Sequence, residues 1–171
     1  MGLDFNNWLH VACWSAYLLA FFMFARQSNM VPTSLSKFDV KKQLCIGDVL
    51  IGHNGLLISL KWSKTNQYGK KVVLIPIPRI PGLVLCPYMA FIRLRSLFTN
   101  AKLTDPAFIY SSRPKKCVTE HTFISVLRKA FTCAGYEASA FNGHSFHRDG
   151  ATFAFQSRSE EHTSELQSHS D

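Results

Sequence analysis

Residues 11–25, VACWSAYLLAFFMFA, are apolar at every position but Ser15, and a stretch of that kind has to be hidden from water. A membrane-spanning helix needs about 20 apolar residues, whereas shorter runs mark helices buried in a protein core. No basic residue precedes the run and no small-residue cleavage site follows it before Arg26, which argues against a signal peptide. The expectation is a helix over residues 4–25, entered at Asp4 as N-cap and buried on most faces. Gln27, Ser28, Asn29 and Pro32 close it, with Arg26 at its C-terminal end. Such a helix needs a domain around it, and 171 residues that are 47% hydrophobic and 18% charged can supply one.

From Arg158 the composition changes to RSEEHTSELQSHSD, polar and without helical or strand periodicity. Residues 158–168 read, codon by codon, as the translation of a common short-read sequencing adapter. Residues 158–171 are therefore expected to be foreign, and the native chain to continue past Ser157. Without them the basic residues fall from 19 to 18 and the acidic ones from 11 to 7, raising the net charge from +8 to +11. A balance so basic favours phosphate-bearing partners, although charge alone does not separate DNA from an anionic membrane.

Between the first helix and Ser157 the pattern is strand-like and then helical. Strands are expected at 48–51, 56–62 and 71–77, with turns at His53-Asn54-Gly55 and at residues 66–69. Pro76, Pro78 and Pro81 cannot continue a central strand, and Cys86-Pro87 opens a helix to about Phe98. After an apolar run at 108–110 and a basic loop Arg113-Pro114-Lys115-Lys116, Thr119 caps a helix that runs to Ala134 and stops at Gly135. A last helix starts near His144. The fold class is α+β, mostly helical, with a small three-stranded antiparallel sheet.

The five cysteines are widely spaced with no C-x-x-C pair, which suits a reduced intracellular chain. No cluster has zinc-site spacing, and no phosphate loop, G-x-S-x-G elbow or H-E-x-x-H pair is present, so neither metal nor cofactor is expected. Three groups stand out instead: Arg26 after the first helix, Lys64 in Trp62-Ser63-Lys64-Thr65, and His144 with His147 and Arg148. On a helix, His147 and Arg148 project within about 60° of the face of His144, so two of the three can meet one ligand group. Singly, Arg26 reads equally as a cation at a helix C-terminus and Lys64 as a solvated turn residue.

Together, FFMFARQSNMVP, LKWSKTNQYGKKVVLIPI and GHSFHRDGATFAF, in that order and spacing, resemble the catalytic domain of tyrosine recombinases, the phage-integrase superfamily. The likeness is greatest to eukaryotic crypton and DIRS-like element recombinases and spans nearly all of residues 1–157. It implies that Arg26 is the first catalytic arginine, Lys64 the hairpin lysine and His144 the histidine of an H-x-x-R helix. His147 stands where the second arginine belongs, and Arg148 follows one place later. The implied chemistry is metal-free DNA cleavage and rejoining through a 3′ phosphotyrosine. Arg26 and Arg148 would clamp the non-bridging oxygens, Lys64 would protonate the departing 5′ oxygen, and His144 would act as base. The tyrosine nucleophile belongs downstream of the His144 helix, yet no tyrosine follows Tyr136, so the chain as it stands is expected to be inactive.

The resemblance further implies DNA as partner, assembly as a tetramer on DNA, no membrane, and a nuclear location if the chain comes from a eukaryotic element. Lys61, Lys70, Lys71, Arg113, Lys115 and Lys116 form the basic surface expected to meet phosphates. The runner-up reading is a decayed or repurposed mobile-element remnant that binds DNA without cutting it. A third, a small basic membrane-associated protein, rests on residues 11–25 alone.

Overall fold

The computed structural model describes residues 2–61 and 72–140 and, beyond them, Phe146, Arg148, Ala151, Thr152 and Gln156. Helix α1, Trp8–Phe22, is the axis of the molecule. Ala12, Cys13, Ala16, Leu19 and Ala20 along it are fully buried. It starts later than the sequence suggests because Asn7, not Asp4, is the N-cap: its side-chain oxygen accepts from the Leu9 amide at 2.9 Å. Asp4 belongs to the turn before it, accepting from the Asn6 amide while its own N–H donates to His10 Nδ1. At the other end Phe24 takes a left-handed conformation, φ 49°, and the Ala25 amide reaches back to the Ala20 carbonyl at 2.9 Å. This C-terminal wrap is normally built on glycine.

A one-turn helix, α2 (Gln27–Met30), follows at once, where the sequence suggested only a polar stop. The sheet then runs β1 (Val49–Gly52), β2 (Gly55–Leu60), β3 (Val73–Pro78), antiparallel in that order. Val49, Ile58 and Ile75 pair across one face and Leu50, Leu57 and Pro76 across the other. Only the first face meets the core, through Val49, Leu56, Ile58 and Ile77. Pro76 and Pro78 lie in β3, at one side of the sheet, where a strand without those N–H donors is tolerated. At the β1–β2 turn Gly55 has φ 155°, and a Cβ there would stand 2.2 Å from the Ile77 carbonyl oxygen, so no larger residue fits.

Helix α3, Pro87–Leu97, begins with proline at its first turn and lies along α1. The stretch read as a basic loop is instead the turn and second strand of a hairpin, β4 (Ile109–Ser112) with β5 (Lys115–Cys117). Helix α4, Glu120–Cys133, has Thr119 as its cap and ends before Gly135, φ 83°. Its Phe123, with Phe91 of α3 and Phe108 ahead of β4, fills the centre of the core. The architecture is α+β: helices packed on α1, a three-stranded antiparallel sheet and a separate two-stranded hairpin. Among the described residues no helix is long and apolar enough to cross a membrane.

Candidate functional site

Arg26 is the residue before α2, half-buried and in extended conformation. The left-handed turn at Phe24 and the buried Ala25 set where it leaves α1. Two hydrogen bonds then stitch this segment to the start of α4: Gln27 Nε2 donates to the Glu120 carbonyl at 2.8 Å, and the Glu120 amide donates to the Pro32 carbonyl at 2.9 Å. Gln27, Glu120, His121, Ile124, Ser125 and Arg128 line an open cleft of about 480 Å³ beside it.

An aromatic triad ties the end of the described chain to the same two helices. Phe146 stacks on Tyr17 of α1 at 5.4 Å, 10° between planes, and meets Phe123 of α4 edge-on at 5.3 Å. Tyr17 and Phe123 meet edge-on at 4.7 Å, and the Tyr17 hydroxyl donates to the Phe123 carbonyl at 2.7 Å. Contacts of this kind favour a fixed ring geometry over a merely greasy one. Arg148, two residues on, is exposed, and its carbonyl accepts from Thr152 Oγ1 at 2.9 Å. Lys64, His144, His147, Lys70 and Lys71 lie outside the described residues. Of the expected catalytic set, then, Arg26 and Arg148 are described.

The tyrosines that are described serve packing. Burial, together with Cys13, pushes the Tyr17 phenol well above its ordinary pKa, and burial raises Tyr110. Tyr88 is buried beneath the Arg79 guanidinium, 5.7 Å from its ring, and the exposed Tyr136 meets Phe131 edge-on.

The expected phosphate-binding lysines divide. Lys61 Nζ is 2.5 Å from Oδ1 of Asp48, a carboxylate only 6% exposed, and also donates to the Val40 carbonyl at 3.1 Å. Partial burial works against the Lys61 charge, but the bond and charge of Asp48 outweigh it and raise its pKa. Lys115 Nζ is 2.7 Å from Oδ1 of Asp105, 8% exposed. Burial alone would raise the Asp105 carboxyl, but Lys115 and the Lys102 amide hold it below the ordinary range. Those two cations are already answered by carboxylates within the fold, whereas Arg113 and Lys116 stand exposed at the β4–β5 hairpin.

Sequence reasoning passed over both carboxylates and the meeting of Phe146 with Tyr17 and Phe123. The signal for Asp48 was present: it is the one charge in CIGDVLIG, a run otherwise apolar or glycine, where an acid calls for a distant cation. Nothing in the sequence marks Phe146 as the partner of Tyr17. Among the described residues no group of three His, Cys, Asp or Glu side chains is arranged to hold a metal ion. No protein family, no curated protein and no solved structure matched the chain.

Proposed function

We propose that residues 1–157 are part of the catalytic domain of a DNA breaking-and-rejoining recombinase of the tyrosine type. The observation that carries the reading is the junction of α1, α2 and α4. Arg26 leaves α1 there, Gln27 ties it to Glu120, and Phe146, inside the motif GHSFHRDG, packs on Tyr17 and Phe123 of the same helices. Two segments far apart in sequence, each with a guanidinium, are thus anchored to one pair of helices. Guanidinium groups stay charged and match phosphate oxygens in a bidentate fork, the requirement for a phosphodiester clamp. Since no tyrosine follows Tyr136, the activity expected of these 171 residues is DNA binding.

Fluorescence anisotropy with a labelled duplex across a salt gradient tests this. Affinity should fall steeply with salt, by a log–log slope of about 0.9 per phosphate neutralised, and vary little with sequence. Lys116→Gln should lower that slope by about 1, while Lys61→Gln, whose cation is already paired with Asp48, should leave it nearly unchanged. Absence of binding at low salt, or binding indifferent to salt, overturns the proposal. Reading the native gene past codon 157 tests the catalytic part: the reading expects a further helix, a His or Trp, and then a tyrosine.

His147, in place of the arginine of H-x-x-R, favours a second reading, a relic that binds DNA without cutting it. In a chain supplied with the downstream tyrosine, cleavage restored by His147→Arg would support the relic. Equal cleavage with either residue would make Arg148 the working clamp.

A further inference from the structure

Cys45, Asp48 and Lys61 form a compact cluster at the entry to β1. The Cys45 thiol donates to Asp48 Oδ2 at 2.9 Å, and the Cys45 amide donates to the same oxygen at 3.0 Å. The other oxygen, Oδ1, holds Lys61 Nζ at 2.5 Å, and that nitrogen stands 3.5 Å from Cys45 Sγ. One carboxylate thus bridges a thiol and an amine that already touch each other. Cys45 is buried, while the Lys61 side chain keeps about a third of its surface in solvent (35%), leaving a way in for a small oxidant.

We propose that this cluster is a site of oxidative modification, at which a peroxide joins Cys45 to Lys61 through a covalent sulfur–nitrogen bond. In the first step the Cys45 sulfur displaces water from hydrogen peroxide; the thiol is oxidised to a sulfenic acid, and the peroxide is reduced to water. In the second, Asp48 Oδ1 takes a proton from the Lys61 ammonium, and the freed Nζ lone pair attacks sulfur. The S–O bond breaks, Asp48 returns the proton to the departing hydroxide, and Nζ sheds its extra proton to solvent as the sulfenamide forms. From thiol and ammonium the cluster loses two hydrogens and one proton, with one peroxide consumed and two waters released. A thiol reductant reverses it by cleaving the S–N bond and restoring cysteine and amine.

Burial and the Asp48 hydrogen bond raise the Cys45 thiol above its ordinary pKa, with Lys61 pulling the other way, so the resting thiol is protonated and the first step is slow. Of the remaining cysteines, Cys13, Cys86 and Cys117 are buried and Cys133 is exposed. The product ties the residue after β2 to the turn that precedes β1.

The test uses the full chain with Cys133→Ser, exposed to hydrogen peroxide and digested for mass spectrometry, with dimedone as sulfenic-acid trap. The expected product is a peptide pair linking Cys45 to Lys61, two hydrogens below the sum of its parts, that separates on adding dithiothreitol. Lys61→Arg keeps a cation against Asp48 but cannot condense, so the link should vanish and dimedone labelling at Cys45 should rise severalfold. Equal labelling of Cys45 with and without that substitution overturns the proposal. So does a Cys45 that stays reduced under prolonged peroxide, long after Cys133 in the unsubstituted chain is fully oxidised. A linked pair heavier by one further oxygen overturns the condensation step in favour of an N–O–S bridge.

Discussion

The junction of α1, α4 and Phe146 and the three-stranded sheet are both made of apolar residues, but they are closed in different ways. At the junction, Tyr17 and Phe123 are covered on every side and joined by a hydrogen bond as well as by ring contacts. The sheet is covered on one face, while Leu50 and Leu74 on the other are 59% and 58% exposed. What secures its end is polar: Asp48, at the entry to β1, holds Lys61, the residue after β2. Alike in composition, the first region is closed by packing on all sides, and the second by packing on one face and a charge pair at its rim.

The largest test of that contrast is Phe123→Ala, which removes the ring shared by Tyr17 and Phe146. It should cost about 3–5 kcal/mol in urea unfolding, whereas Leu74→Ser on the open sheet face should stay within about 0.5 kcal/mol. Similar losses at both sites would erase the distinction.

Next in size, Asp48→Asn keeps the shape and removes the charge that Lys61 answers. A fully buried pair would lose more, but with Lys61 about a third exposed the cost should be about 1–2 kcal/mol. Tyr17→Phe, which deletes one neutral bond at the junction, should cost about 1 kcal/mol. A cost for Asp48→Asn well below that of Tyr17→Phe would mean that the rim pair does not secure the sheet.

The smallest effect concerns pH. Asp105 has its folded-state pKa lowered, so its contribution is present above the unfolded pKa of about 3.9 and is lost as pH falls through the folded value. Lys115→Met should therefore flatten the stability profile below about pH 5 and scarcely alter its shape near pH 7. Urea midpoints measured across that range for both chains will show it; parallel profiles would remove Lys115 as the cause.

How much was legible follows the range of the interactions. The buried helix in residues 11–25, the Cys86-Pro87 start of α3, and the Thr119 and Gly135 limits of α4 depend on neighbours within a turn or two. The cap of α1 was misplaced because Asp4 and Asn7 are both competent caps, and only the turn that Asp4 makes with Asn6 and His10 decides between them. Helix α2 is too short for periodicity to register. The β4–β5 hairpin turns at Arg113-Pro114 without the Asn-Gly type of signal that marks such turns. At the candidate site, Arg26 was visible because it follows the apolar run. Its link to α4 through Gln27 spans 93 residues, and the engagement of Lys61 by Asp48 likewise depends on the fold having formed.

The two prolines of β3 also decide how the sheet can meet other chains. Their register against Leu57 and Gly55 puts Pro76 and Pro78 on the same alternation, with their ring nitrogens turned away from β2. The outward side of the strand therefore presents carbonyl acceptors at those two positions and no matching donors. A foreign strand arriving there finds half of a ladder and cannot zip along it, so β3 is a natural stop against sheet-to-sheet aggregation.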